Sequence, residues 1–332
     1  MVLTCLIRFK GYRPDMLSSL VQQLLDMSII FSFDRRGYLR HKQYFNQNDL
    51  DKDLSGKNAI ITGANAGIGY SLALSLAKRN ANVYLLCRNQ TRGEAALRKI
   101  IAETGNTAVS LNIIDVSDLG SVQRFLAECQ LERVDIMLIN AGILPHHYQL
   151  SPQGYESTLA TNLLGHQLLI EELWSRLAGG RLILLSSGGM YPVPLNIEQL
   201  FTPSASRFDG VRQYALTKRA QVILAELLSK RGAEQDTIVH SMHPGWVNTG
   251  GVKTSLPAFW KRMKDNLRTP EEGADTALWL AIADQPAESS GQFWFDRKRR
   301  AKRMFYQRPT SESLKQELWN RLNAAIQDYR TA

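Results

Sequence analysis

The stretch "NAIITGANAGIGYSLALSLAKRN", residues 58–80, contains three local patterns in succession. "NAIIT" is a short apolar run, which is typical of a strand that is buried on both faces. "TGANAGIG" then places Gly63, Gly67 and Gly69 close together, and "YSLALSLAKRN" continues with apolar residues at helical spacing. The stretch therefore predicts a strand, a glycine-rich turn and a helix.

The same alternation of strand and helix continues along the chain. Further apolar runs occur in "NVYLLC", "TAVSLNIID", "VDIMLIN", "GRLILLSS" and "DTIVHSMHPG", and helical patterns separate them. Such strands form a parallel sheet with helices on both faces. We predict a doubly wound parallel α/β sheet, a Rossmann fold, in a single domain over residues 54–305. Residues 1–53 form an N-terminal helical extension, and residues 306–332 form a C-terminal helix.

The glycine-rich turn is the first candidate binding site. Glycine permits tight turns and lets main-chain N–H groups approach a pyrophosphate, while the next helix directs its positive end at that charge. The alternative is a turn that only lets the helix pack closely on the strand. The position at the first strand-to-helix turn of an alternating fold favours a dinucleotide site.

A second candidate site is "YALTK", where Tyr214 and Lys218 are four residues apart. Residues at this spacing share one face of a helix, so their side chains can meet. A phenol can donate a proton to a developing alkoxide, and a nearby ammonium would lower its pKa toward neutrality. The pair could also be two solvated residues, so other motifs must decide.

These motifs together resemble the short-chain dehydrogenase/reductase family over residues 54 to about 300. The shared features, in family order, are the Gly-x-x-x-Gly-x-Gly turn, "NAG" at 140–142, "TNLLG" with Asn162, "LLSSGG", "YALTK" and "HPGWVNT". Further segments, "FDG", "KRAQV", "SMHPGW", "GADTALWLA" and "FDRK", resemble one branch of that family. The resemblance implies an oxidoreductase that moves a hydride between a nicotinamide cofactor and a small carbonyl or alcohol.

The resemblance also implies roles for individual residues. Tyr214 would be the general acid/base, Ser187 (with Ser186 as fallback) would hold the substrate oxygen, and Asn162 would join a proton relay through a water and Lys218. The implied cofactor-binding residues are Gly63, Asn65, Ala66, Gly67, Ile68, Gly69, Arg88, Asp115, Asn140, Ala141, Gly142, Tyr214, Lys218, Pro244, Gly245, Val247 and Thr249. The competing interpretation is a non-catalytic protein that binds NADP as a redox sensor or scaffold.

The end of the second strand predicts which nicotinamide cofactor is used. NAD-binding proteins place an acidic residue there, whereas this chain has Cys87 and Arg88 in "LLCRNQ". Arginine suits a 2′-phosphate, and the missing carboxylate removes a repulsion. We therefore expect NADP(H) to be favoured over NAD(H). The alternative is an arginine stacked on the adenine of NAD.

Composition bounds the remaining possibilities. Three cysteines are too scattered for a disulfide framework or a metal site, so we expect a reducing, cytoplasmic setting and no metal. The net charge is +9, partly from "DRKRRAKR" at 296–303, which we interpret as a solvated loop rather than a site for acidic lipid or nucleic acid.

Three other segments are predicted without a defined role. Residues 17–25 have an amphipathic helical pattern and either pack on the domain or contact a membrane as a peripheral anchor. Leu314, Leu318, Leu322 and Ile326 share one face of the last helix, which either packs or forms a homodimer. Ser187 and Tyr214 are 27 residues apart (214 − 187), and the segment between them is an insertion expected to border the substrate pocket, with Tyr191 and Phe201 as candidate lining residues.

Overall fold

The central sheet follows the strand pattern of the sequence. The structure is a computed structural model and describes residues 29–330. Its strands are β1 (Asn58–Thr62), β2 (Asn82–Cys87), β3 (Val109–Ile113), β4 (Ile136–Ile139), β5 (Arg181–Leu185), β6 (Ile238–Met242), β7 (Phe293–Phe295) and β8 (Lys298–Arg300). Their order is β3-β2-β1-β4-β5-β6-β7-β8, and all neighbours are parallel except β7 and β8. The predicted fold class is confirmed.

Helices cover both faces of the sheet. They are α1 (Ile29–Phe33), α2 (Arg35–Lys42), α3 (Gly67–Ala77), α4 (Gln90–Thr104), α5 (Leu119–Glu128), α6 (Ser157–Leu159), α7 (Gly165–Leu173), α8 (Ile197–Phe201), α9 (Gly210–Gly232), α10 (Gly250–Ser255), α11 (Pro257–Met263), α12 (Pro270–Ile282) and α13 (Glu312–Arg330). Because successive strand residues point to opposite faces, Ile60 packs in the cluster with α5, α7 and α9. Its neighbour Ile61 packs in the cluster with α3 and α12.

The strand order places a crevice beside β1. The chain runs from β1 outward through β2 to β3, then returns to β4 on the other side of β1. Loops that leave β1 and β4 therefore diverge, and ligands of such sheets bind there, beyond the carboxyl ends of the strands. Both the glycine-rich turn after β1 and "NAG" after β4 lie at this point.

Residues 29–42 of the N-terminal extension are docked onto the sheet domain through a buried arginine. Arg268 is 1% exposed, and its guanidinium donates to the carbonyl oxygens of Ser32 (2.9 Å) and Phe33 (3.0 Å) at the end of α1. It also pairs with the buried Asp296, which accepts from Arg268 Nη2 at 2.9 Å and contacts His41 Nδ1 of α2 at 2.7 Å. The predicted amphipathic helix of residues 17–25 lies outside the described residues.

The interpretation of residues 296–303 as a loop is wrong, although Lys298, Arg299 and Arg303 are exposed to solvent as expected. Residues 298–300 form β8, an antiparallel partner of β7. Asp296 and Arg297 make the connecting turn with φ of 49° and 53°, as in the two-residue turns that suit the twist of a hairpin. Arg297 forms two 2.8 Å bonds to Asp275, so the first charges of the run are structural.

The C-terminal helix α13 uses its apolar face within its own chain. Leu318, Leu322 and Ile326 are fully buried in the cluster that contains α7 and α9. The face that was predicted either to pack or to dimerise therefore packs. Within residues 29–330, no helix combines the length and the apolar character that crossing a membrane requires.

Candidate active site

The glycine-rich turn has the backbone that the sequence predicts. Gly63 and Gly67 have φ of +67° and +56°, a region that L-residues with side chains rarely adopt. A Cβ on Gly69 would collide with the carbonyl oxygen of Gly63 and with the amide of Asn140. The turn is therefore packed against the loop after β4, with glycine required by the backbone conformation at Gly63 and Gly67 and by lack of space at Gly69.

Asn140 and Thr62 hold this turn to the loop after β4. Asn140 Nδ2 donates to Thr62 O at 2.8 Å and Gly63 O at 3.3 Å. Thr62 Oγ1 accepts from the main-chain N–H groups of Asn140 and Ala141, both at 3.0 Å. The same hydroxyl contacts His166 Nε2 at 3.1 Å. These bonds fix the two loops of the crevice relative to each other.

The start of α3 faces the crevice without a side-chain cap. Ala66 stands at the N-cap position and makes no side-chain capping bond, while Asn65 and Ile68 flank it. Unpaired N–H groups at a helix start suit a phosphate. Thr249 approaches this turn, because a Cβ on Gly67 would lie 3.2 Å from its Cγ2. The structure thus brings the predicted residues of the glycine-rich turn together with Thr249.

The end of β2 carries an exposed cation and a neutral thiol. The Arg88 side chain is 69% exposed, and its Nη1 lies 3.8 Å from Asp115 Oδ2. Burial raises the pKa of the Cys87 thiol to about 11, so no negative charge stands beside Arg88 on the strand. Asp115 is also occupied locally, because its Oδ1 accepts from the main chain and hydroxyl of Ser117.

Ser187 and Tyr214 meet at the carboxyl end of β5. The Ser187 hydroxyl accepts from Gly189 N–H at 3.1 Å. Burial raises the pKa of the Tyr214 phenol, and a hydrogen bond with Ser187 lowers it. The net direction is upward, whereas the sequence predicts a lowering by Lys218. The reason is that burial, which disfavours the charged phenolate, outweighs the hydrogen bond with Ser187, although the Lys218 ammonium lies 5.4 Å from the centroid of the Tyr214 ring.

The Lys218 ammonium donates hydrogen bonds to two acceptors. Its Nζ donates to Leu185 O at 2.8 Å and to Gln221 Oε1 at 3.0 Å. Burial lowers the pKa of this ammonium to about 7. Ser186, the fallback for the substrate-binding serine, is instead buried and donates to Lys218 O at 2.7 Å. This bond ties β5 to α9 and leaves Ser187 as the serine beside Tyr214.

Asn162 lies where the helical segment between β4 and β5 changes its winding. A π-helical segment, Ala160–Leu164, joins α6 to α7, and such segments are frequent at functional sites. The Asn162 side chain accepts from Ile143 N–H at 2.9 Å and donates to Thr217 Oγ1 at 3.0 Å. It therefore joins the loop after β4 to α9. Gly142 packs against Asn162 and Lys218.

The loop after β6 closes the other side of the crevice. Pro244 leads into Gly245, which has φ of +81° and packs against the Arg268 side chain. Val247 is buried against Gly273 and forms a bridge to Arg268. Thr249 caps α10 by accepting from Val252 N–H at 3.2 Å. Pro244, Gly245, Val247 and Thr249 thus lie in one loop that the buried arginine supports.

Sequence reasoning missed two residues that support the serine loop. His243 Nδ1 accepts from the N–H of Gly188 at 2.9 Å, and burial lowers the pKa of this imidazole to about 3. The Phe33 ring of the extension packs edge-on against the His243 ring, with 4.4 Å between the ring centroids. A Cβ on Gly188 would collide with the Phe33 ring. "HPG" in the loop motif was the available signal for His243, whereas no local pattern marks Phe33.

The insertion lines two clefts beside the start of α9. One, of about 320 Å³, is lined by residues of α8 and the following loop, including Gln199, Arg207 and Phe208. The other, of about 250 Å³, lies between Leu144–His146 and residues 208–211, just before Tyr214. Neither expected aromatic lines them: Tyr191 donates to Ala301 O at 2.7 Å, and Phe201 packs on the core beneath Arg321.

Comparisons with known proteins define the class of this protein. A model of the short chain dehydrogenase family matches residues 57–198. The chain is 38% identical over 273 residues to human dehydrogenase/reductase SDR family member 12, covering 80% of this chain and 84% of that protein. The chain therefore belongs to the short-chain dehydrogenase/reductase family, which is a family of nicotinamide-dependent oxidoreductases.

Two further similarities agree with this membership. Human retinol dehydrogenase 12 is 34% identical over 253 residues, covering 74% of this chain and 79% of that protein. A crystal structure of an uncharacterized protein from Mycobacterium paratuberculosis superposes with a TM-score of 0.68 at 26% identity, covering 83% of this chain and 95% of that one. The resemblance read from the motifs is confirmed.

Proposed function

We propose that the protein transfers a hydride between NADP(H) and a small carbonyl or alcohol substrate, with Tyr214 as the general acid/base. The observation that supports this most is the meeting of Tyr214, Ser187 and Lys218 at the carboxyl end of the sheet. The glycine-rich turn opens on the same crevice. A nicotinamide bound there would supply or accept the hydride.

The residues of the chain divide the remaining work. Ser187 Oγ holds the substrate oxygen beside the Tyr214 hydroxyl. Tyr214 donates its proton to that oxygen as negative charge develops there, which is the usual task of a positioned general acid. Lys218 places a positive charge next to the phenol ring and favours the phenolate that remains. The Asn162 side chain keeps Ile143 and α9 in register around these groups.

The end of β2 supports NADP(H) over NAD(H). A 2′-phosphate would meet the Arg88 guanidinium without facing a carboxylate on the strand, since Cys87 is a buried neutral thiol. The glycine-rich turn would hold the pyrophosphate with main-chain N–H groups. Asn140, Ala141 and Thr249, which surround that turn, would border the rest of the dinucleotide.

The test assays the parent protein and two variants on a panel of aldehydes and ketones. Turnover is measured as the loss of NADPH absorbance. Tyr214→Phe keeps the ring and removes the proton, so turnover should fall by at least about 10²-fold with unchanged NADPH affinity. Lys218→Met should reduce both turnover and affinity. Near-normal turnover in Tyr214→Phe would contradict the role of the tyrosine. If the parent binds NADPH but turns over no compound of the panel, the alternative of a non-catalytic NADP-binding redox sensor or scaffold would be favoured.

We also propose that the N-terminal segment makes a peripheral lipid contact. The docked part of the extension exposes Phe31 and Leu39, at 42% and 45%, and the Arg36 guanidinium lies 4.8 Å from the centroid of the Phe31 ring. Co-sedimentation with anionic vesicles should detect binding by the full chain, and Leu20→Glu with Leu24→Glu should abolish it. A parent that stays in the supernatant would refute the contact. Homodimer formation remains a prediction, tested by light scattering of the full chain.

A further inference from the structure

Gln221 connects two residues of the candidate active site. It lies on α9, one helical turn after Lys218, and is 1% exposed. Its Oε1 accepts from Lys218 Nζ at 3.0 Å, and its Nε2 donates to the main-chain oxygen of Asn162 at 2.9 Å. One buried amide thus spans the gap between Lys218 and Asn162, the two residues that the resemblance joins through a water.

We propose that Gln221 is a positioning residue for Lys218, with its side-chain amide in the place of that water. The proposal rests on the proposed function, because it assigns Lys218 to the cofactor. An amide accepts one hydrogen bond and donates another, but it passes no proton onward while it remains an amide. Gln221 therefore holds the Lys218 ammonium in position and prevents proton transfer between Lys218 and Asn162.

The donor inventory of the ammonium supports this role. An ammonium has three N–H donors, and Leu185 O and Gln221 Oε1 take two of them. Leu185 lies at the carboxyl end of β5 and Gln221 lies on α9. The third N–H donor of Lys218 therefore remains available to a cofactor bound in the crevice. Gly142 borders this side, because a Cβ there would lie 3.4 Å from Nζ.

The charge of Lys218 depends on these acceptors. Burial lowers the pKa of the ammonium to about 7, so a lost hydrogen bond to the charged form lowers it further. The titratable groups that face it are Tyr214 on its own helix and His166 on α7. Burial lowers the pKa of His166 to about 3, so this ring stays neutral over the range in which Lys218 titrates.

The hydrogen bonds of Asn162 fit the same arrangement. Its side chain forms hydrogen bonds with the main chain of Ile143 and with the Thr217 hydroxyl. Its main-chain oxygen accepts a hydrogen bond from Gln221 Nε2. His166 Nδ1 approaches that oxygen at 3.5 Å. Asn162 thus anchors the amide that holds Lys218.

The experiment measures NADPH affinity by fluorescence between pH 6 and 9 in the full chain. Gln221→Met keeps the volume but removes the acceptor, so affinity at pH 8 should fall about tenfold and the pH midpoint should move down. Gln221→Glu places a carboxylate beside the ammonium, so the midpoint should move up. Gln167→Met is the matched control, because Gln167 is a buried glutamine bonded to Glu171 and Asn323 instead.

Opposite shifts in the Met and Glu variants, absent from the control, would support the proposal. Equal shifts, or a midpoint that stays with the parent, would overturn it. Gln221→Ala opens a site with two polar partners for a water, so it should bind NADPH more tightly than Gln221→Met; weaker binding at an unchanged melting temperature would also overturn it. A parent that binds no NADPH refutes the proposed function, whereas binding with unchanged variants refutes only this inference.

Discussion

Arg88 is the residue on which the proposed preference for NADP(H) depends. Its guanidinium is exposed at the mouth of the crevice and faces Asp115 at 3.8 Å, a weak pairing that a 2′-phosphate could replace. Arg88→Asp should weaken NADPH by roughly 2–3 kcal/mol, through a lost charged hydrogen bond and a new repulsion, and should spare NADH. Calorimetric titration of both cofactors measures the difference.

The control for this prediction is Arg98→Asp. Arg98 is also exposed, at 71%, but its nearest acid is Glu94 on the same helix. This variant changes the net charge equally and should leave both affinities near the parent values. An equal loss of NADPH and NADH affinity in Arg88→Asp would argue against a 2′-phosphate contact.

Single residues of the site differ in how far the sequence could predict them. Gly63, Gly67 and Gly69 were predictable because backbone geometry restricts these positions to glycine. Gln221 was not, because its two partners lie on different elements and its bond to Asn162 spans 59 residues. The direction of the Tyr214 pKa was also out of reach, since it depends on burial rather than on the spacing to Lys218.

Among the elements, the N-terminal extension depends most on one side chain. Arg268 serves the carbonyl oxygens of Ser32 and Phe33 and neutralises the buried Asp296. Arg268→Met would leave that carboxylate buried beside His41 and would remove the Arg268 donor from the Ser32 carbonyl, whereas the Phe33 carbonyl would still accept from Trp246 N–H. We expect it to lower the free energy of unfolding by roughly 3–5 kcal/mol in guanidinium titrations.

The control is Arg35→Ala on the same extension. Arg35 is half exposed and contacts Glu272 at 2.9 Å, and a surface pair of this kind contributes about 1 kcal/mol or less. If both variants destabilised the protein equally, the buried network would have no special part in holding the extension.

The elements also show why part of the fold escaped prediction. The parallel strands were clear because each is an apolar run, but β8 reads "KRR" and has no apolar face in the sequence. Its stability comes from pairing with β7 and from Arg297, which binds Asp275 across the chain. Long-range contacts of this kind leave no local periodicity.

At the scale of the whole molecule, three buried histidines set the response to acid. Burial lowers the pKa of His166 and His243 to about 3 and that of His240 to about 4. The unfolded chain binds these protons near pH 6.5 and the folded chain does not, so stability falls as the pH drops below about 6.5. Each group adds a slope of about 1.4 kcal/mol per pH unit.

Urea titrations at pH 7, 6 and 5 check this dependence. His243→Gln should reduce the slope, whereas His146→Gln with His147→Gln should not, because those two side chains are exposed. Below about pH 4 a further loss is expected, since the pKa of Asp296 is lowered to about 2 by Arg268 and His41 against the cost of burial. Constant stability between pH 7 and 5 would contradict the assignment of neutral buried histidines.

The docking of the extension has a consequence for how the chain is made. Phe33 leaves the ribosome 235 residues before Arg268, whose guanidinium donates a hydrogen bond to the Phe33 carbonyl. At about 5–20 residues per second, this interval lasts roughly 10–50 s. During that time the sheet can grow from β1 to β6, but the docking site of the extension does not yet exist. Residues 29–42 are therefore synthesised well before their docking site and are among the last to reach their native place, and a nascent chain that stops before residue 268 leaves them undocked.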